Sequence, residues 1–515
     1  MCGHSERLTE VTLPRSPWRD VSGTGRQQSR AKTDSVRCST ISNASVPAKS
    51  CTAPRHRAVP RVGDRRVSPS FVSRQPPILL GLLRIALASI VLVSPEPEIA
   101  RLVAARPSVS WVRPEGLGWL GTLVPLTPTA IAIAHRVLQT SGVLVLVGIW
   151  TRPLLGVLAA CMLYVFGAAQ LTGTVTHDMH LLWLAVLLAM TPRPFGEPLS
   201  LEAWAHGSIA GGPATPESTF SVLAARLWLG FVYFFPGVHK LAGPEGLGWI
   251  SAESLRGQMY FKWFEAGAVP WPRIDRVPWL LDIAAGAVVA FELAMPALVL
   301  FRRTRPVALV AGLTFHAAAG HFLDIHFPSL MVCYVVLLPG DRLRTLALRV
   351  LSSCKSCKES TLASLRDLGS GVPVDSARTR RWRIAPLAAS FAVITLAIVS
   401  AGVRGQTQAY PFACYPTFAT RAPDEIVDLA VDVRGENGVH TFRLPLRRRQ
   451  DEWGMVWRIA GLYGDPIDRG RLEAFARTIV PPSYNGKRRW MLEAYDVRPE
   501  RYGDEPLRRW PILEE

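Results

Sequence analysis

The residue best suited to chemistry is Lys240, which closes the run Tyr233-Phe-Phe-Pro-Gly-Val-His-Lys240. Burial penalises the charged form of an amine, and a neutral lysine is a competent base. Pro236 and Gly237 predict a helix break just before it. The plain alternative is a lysine whose stem lies on apolar surface while its ammonium snorkels to water. Imidazoles supply a second set of groups. Seven of the eleven histidines fall at or near one end of the apolar segments: His135, His177, His180, His239, His316, His321 and His326, with Lys240 and Asp282 at the same level. Such groups shuttle protons, bind metals or polarise a carbonyl. Each alone reads as an ordinary interfacial residue; seven from five segments carry more weight. No metal site is assigned. His177-x-x-His180 lacks the glutamate of a zinc-protease helix, and His321 lies one residue off the i, i+4 face from His316.

These groups have to be positioned by membrane spans. The chain has 515 residues, of which 49% are hydrophobic and only 19% charged, below the roughly one quarter usual for soluble proteins. A bilayer core needs about 20 apolar residues per helix. Nine segments are candidates: Pro77–Pro95, Thr129–Trp150, Pro153–Leu171, His177–Met190, Ser218–Val238, Pro278–Phe301, Pro306–Phe322, Pro328–Leu338 and Ile384–Val403. The fourth, seventh and eighth are short. The expected fold is an all-α polytopic membrane bundle of about nine spans, followed by a small α+β extracytoplasmic domain.

Basic residues set the orientation. Residues 1–75 hold 14 Lys/Arg against 5 Asp/Glu, half of the net +18, and their Ser, Arg and Pro content predicts a disordered segment. Alternation then places Arg152, Arg193, Arg302-Arg303 and the basic 341–382 loop on the same, cytoplasmic side. The last helix, 383–403, leaves residues 404–515 outside. The basic balance is therefore that of a membrane protein, and nucleic acid is not an expected partner. The Cys354-Lys-Ser-Cys357 pair lacks a second pair and a strand–helix setting, so no redox or zinc role follows from it. In the tail, Ile426–Val433 and Val439–Leu444 alternate about an Asn437-Gly438 turn. Leu472–Ile479 reads as a helix and Lys487–Val497 as a strand.

Arg84, Arg226 and Glu292 fall inside spans, about 10–15 Å from the basic side. Ionisable groups are rare there, and the three are expected to form a buried Arg–Glu–Arg clamp between helices.

The chain resembles the vitamin K-dependent gamma-carboxylase-like family, whose membrane unit is the horizontally transferred transmembrane (HTTM) domain. Three segments carry the likeness, within residues 76–340. Arg226…Tyr233-Phe-Phe-Pro-Gly-Val-His-Lys-Leu241 with Gly248-Trp249 is similar to Arg…Tyr-Phe-x-Ala-Gly-x-x-Lys-Leu and its downstream Trp. Phe315-His316…Phe322-x-x-Ile325-x-Phe327-Pro328-x-x-Met331 is the second. His177-Asp-Met-His180-Leu-Leu is the third, with the family's Asn and Tyr missing. The resemblance implies Lys240 as the base that deprotonates a reduced naphthoquinone (vitamin K or menaquinone). It implies His177 or His180 as its assistant and His316 in the pocket. His239, His321, His326 and Trp249 are assigned to ligand binding beside them. Pro236, His239 and the short tail depart from the carboxylase pattern. Three functions stay open: quinone-dependent carboxylase-like or oxygenating chemistry, a non-catalytic DoxX-like module or redox-complex partner, and an anchor for an external domain that binds a protein or peptide.

Overall fold

A computed structural model describes residues 74–353, 377–412, 421–443 and 480–514, apart from single residues and short runs inside those ranges. The helices are α1 (Ile78–Val93), α2 (Glu96–Ala104), α3 (Pro128–Val147), α4 (Thr151–Ala169), α5 (Met179–Met190), α6 (Leu201–Ala205) and α7 (Pro216–Ala242). They continue with α8 (Ala252–Ala266), α9 (Pro278–Leu300), α10 (Arg305–Leu323), α11 (Pro328–Cys333), α12 (Gly340–Ser353) and α13 (Ala377–Val403). The first 73 residues, Cys354, Cys357 and the Leu472–Ile479 helix expectation lie outside the described residues.

Local chemistry places the helix starts. Pro128, Pro216, Pro278, Pro306 and Pro328 each stand in a first turn, where a missing N–H costs nothing. Thr127 caps α3 through Ala130 N, and Thr215 and Ser218 form a reciprocal capping box on α7. α3 ends on Gly148 in the left-handed region at φ 81°.

Among the described residues, seven helical stretches are long and apolar enough to cross a membrane. Two shorter apolar helices, Met179–Met190 and Pro328–Leu337, match the fourth and eighth expected spans. Burial runs opposite to that of a soluble bundle. Ile133, Ile283, Val310 and Leu396 are 61–69% exposed in mid-helix, which suits lipid and not water. Inside, one continuous apolar core joins α1, α3, α4, α5, α7 and the end of α11. The molecule is an integral membrane protein.

α7 does not break at Pro236, contrary to the sequence expectation; it runs on to Ala242. A proline removes one backbone bond, but in apolar surroundings breaking the helix would strand several more. Pro296 and Pro386 sit inside α9 and α13 in the same way.

Beyond α13 lies a four-stranded antiparallel sheet of order β2-β1-β3-β4: β1 (Glu425–Gly435), β2 (Gly438–Arg443), β3 (Lys487–Asp496) and β4 (Arg508–Glu514). The first three were expected. β4 was not, because Arg508-Arg509-Trp-Pro511 carries two charges and a proline; it occupies an edge, with a register shift at Trp490/Met491, where proline is tolerated.

Candidate functional site

Arg226, Gly230, Tyr233, Gly237 and Lys240 follow one another at steps of four and three, so they form a single stripe along α7, and all five are buried. The stripe faces α9. A Cβ at Gly230 would meet Pro296 Cα at 2.8 Å, and one at Gly237 would meet Glu292 Cβ at 3.0 Å. Two glycines thus let the helices approach closely, and Lys240 of the stripe meets Glu292 of α9 across the contact.

Lys240 lies one turn beyond the Gly237 contact. Its Nζ donates to both carboxylate oxygens of Glu292, at 2.5 and 2.7 Å, and lies 4.9 Å from the centre of the buried Trp249 ring. Lysine and glutamate side chains are only 3% and 5% exposed. The arrangement is a desolvated ion pair with the ammonium's remaining side against an aromatic face. This corrects the snorkelling alternative: the amine turns inward.

One turn below the glycine contact, Tyr233 Oη is 2.6 Å from His316 Nε2 and 2.6 Å from Tyr334 Oη. The three form a hydrogen-bonded chain across α7, α10 and the turn after α11. Gly312 makes room for it, because a Cβ there would collide with the Tyr334 hydroxyl. Phe291, Phe315 and Phe327 surround the imidazole and phenol rings. His316 Nδ1 is buried and has no hydrogen-bond partner among the described residues. Tyr233 and Tyr334 were not singled out from sequence for any role; the four-three stripe on α7 was the available signal for the first.

The remaining expected residues do not gather there. His177 lies outside the described residues. His180 is buried and lines a small apolar cavity with Leu83, Leu184, Trp228, Val232 and Cys333. His239, next to Lys240, points the other way: its Nε2 is 2.7 Å from Gly402 O on α13, because consecutive helical residues diverge by 100°. His321 and His326 are exposed, the first bonded to Trp271 O at 2.9 Å and the second 3.5 Å from Asp324. Asp282 accepts from Ala252 N and so orients the start of α8. No cluster of three metal-ligating side chains occurs among the described residues.

The expected Arg–Glu–Arg clamp does not form. Arg84 donates to Leu199 O at 2.5 Å and lies 3.8 Å from Glu197. Arg226 donates to Val336 O and Gln75 Oε1, at 2.8 and 3.0 Å. Glu292 belongs to Lys240. Similar depth in three spans is not adjacency; which faces meet decides it.

The Lys240 end of the bundle carries the sheet. Phe264 of α8 packs with Ile426, Tyr495 and Val497. Asp275, in the turn before α9, receives Arg273 through two bonds of 2.8 and 2.7 Å and the Tyr260 hydroxyl at 3.1 Å. Arg273 also donates to Glu500 beyond β3, at 2.9 Å. Burial pushes the Asp275 carboxyl up, but Arg273 and Tyr260 together hold it below its usual range. Burial beside Asp275 raises the Tyr260 phenol to about 12. Behind α13, Tyr410 is buried with its hydroxyl on Leu163 O at 2.6 Å, and Trp183 donates to Pro411 O at 2.8 Å. The segment leading into the sheet is therefore stitched to α4 and α5.

Fold and site together define a polytopic membrane bundle with a buried lysine–glutamate pair beneath an extramembrane sheet. The family model for the HTTM domain matches residues 74–339, and the chain belongs to that family. The match stops just before α12, so α12, α13 and the sheet lie outside it. No curated protein and no solved structure matches the chain.

Proposed function

We propose that the chain is a nine-span membrane protein with its N-terminus in the cytoplasm and residues 404–515 outside. On this reading the Lys240–Glu292 pair takes a proton from an acidic lipophilic ligand of the reduced naphthoquinone type, in carboxylase-like or oxygenating chemistry. The observation that carries it is the buried amine held by one carboxylate against Trp249. The surroundings suit such a ligand: aromatic rings lie about Tyr233 and His316, and the orphaned His316 Nδ1 offers a polar partner. When bound, the reduced quinone supplies an acidic hydroxyl and the electrons for reaction with oxygen. Glu292, whose two oxygens already accept from Nζ, takes the proton of Lys240, which leaves two neutral groups in the desolvated site. The neutral amine then accepts the hydroxyl proton. The tyrosine–histidine chain orients the imidazole, and Trp249 keeps water from the amine.

Purified protein given reduced menaquinone should consume oxygen, and Lys240→Ala should abolish that consumption. Equal rates in both would reject the reading.

One observation favours a non-catalytic reading, in which the bundle serves as a membrane module or anchor. Both Glu292 oxygens are spent on Lys240, as in a structural clamp. Lys240→Met/Glu292→Met protein that keeps every function of the wild type would support it.

A further inference from the structure

Past its first turn, the apolar face of α12 leaves the other described residues of the bundle. Leu343 packs on the bundle core, whereas Leu346 and Val350, three and seven residues further on, are 58% and 64% exposed. At 100° per residue these three side chains and Ala347 share one arc of the helix. Arg342 and Arg349 flank that arc on one side and Arg344 on the other.

The helix is also held at a definite level. A Cβ on Gly340 would lie 2.8 Å from Pro76 Cγ and 3.0 Å from Leu79, so α12 starts beside the first turn of α1. Other exposed apolar residues share that end of the bundle. α6 shows Leu201 and Trp204 to the outside, and the preceding Pro198 touches Gly81 of α1. Trp150 is exposed in the α3–α4 turn, with its backbone N–H on Glu202 of α6. Tryptophans with arginines at a span end mark the headgroup layer of a bilayer.

We propose that α12 lies in the plane of the membrane surface, with Leu346 and Val350 among the lipid chains and Arg342, Arg344 and Arg349 on anionic headgroups. The occupant of this face is anionic phospholipid. Apolar residues flanked by arginines, at the edge of a spanning bundle, match the composition of interfacial helices. Each arginine close to an anionic surface favours attachment on the order of fivefold. The proposal does not rest on the chemistry assigned to Lys240.

The test uses the full chain, with its native cysteines replaced by serine, in phosphatidylcholine nanodiscs with and without phosphatidylglycerol. Single cysteines at 342, 346, 349 and 350 are labelled with a membrane-impermeant maleimide. All four positions are exposed, so single cysteines there can be reached by the label without opening the bundle. Positions 346 and 350 should label at least tenfold more slowly than 342 and 349. Phosphatidylglycerol should slow them further, and Arg342→Gln/Arg349→Gln should remove that added protection. Equal labelling at all four positions overturns the proposal. Protection that ignores phosphatidylglycerol overturns its anionic part. Protection in nanodiscs that each hold a single copy of the chain, with no added partner, excludes a protein occupant, whereas protection seen only in discs with two copies overturns the proposal.

Discussion

Replacing Glu292 by glutamine keeps the shape of the seam and removes the carboxylate charge that opposes the Lys240 ammonium. At 2.7 Å and an effective dielectric constant of about 20, the attraction is on the order of 6 kcal/mol. Desolvating two ions costs several kcal/mol each, so the pair as a whole contributes little net stability. Its single removal is another matter. A lysine 3% exposed would keep its desolvation cost without the partner, and about 3–5 kcal/mol of destabilisation follows. Lys240→Met should cost a similar amount, by orphaning the carboxylate. The double variant Lys240→Met/Glu292→Met should recover most of it, ending near the wild type or above, because methionines fill similar volume without charge. The four proteins form a double-mutant cycle, read as the midpoint of sodium dodecyl sulfate denaturation in mixed micelles, with a coupling above about 2 kcal/mol. Single variants each within 1 kcal/mol of wild type, roughly the worth of a solvent-exposed pair, would refute the buried ion pair and the proton transfer built on it.

Three further outcomes follow from the same geometry. Gly230→Val should cost about 1–3 kcal/mol in that assay, because its Cβ meets the Pro296 backbone, which cannot yield; an unchanged midpoint would mean the helices are not in contact there. Tyr233→Phe should cost about 1–3 kcal/mol, since it strips a shared partner from His316 Nε2 and Tyr334 Oη; a neutral result would deny the chain. The sheet's attachment to α8 should be acid-sensitive only at low pH. Asp275 has a folded pKa below its unfolded value near 3.8, so its contribution is present above that value and is lost as pH falls through the lower, folded one. Limited proteolysis should therefore release the sheet only below about pH 4, and Arg273→Gln should move release to higher pH. Release already at pH 6 would contradict the assignment.

The fold was legible wherever a signal is local. Runs of about 20 apolar residues named the spans, and alternation on either side of residues 436–437 gave the β1–β2 hairpin, although Gly438, expected in the turn, pairs with Gly435 as the first residue of β2. β4 was hidden by its own charges and proline. Lys240 stood out from its aromatic run, but its partner did not. Glu292 was assigned by depth to two arginines, and depth says nothing about which way a helix face turns. Only the packing of α7 on α9, set by Gly230 and Gly237, brings that carboxylate to the amine. The histidines show the same division: sequence placed them at span ends, whereas helix rotation buried His316 with two tyrosines, turned His239 to α13 and left His321 and His326 outside. Composition decides that a segment enters a membrane; the meeting of polar groups inside it is decided by interhelical faces, which no single segment encodes.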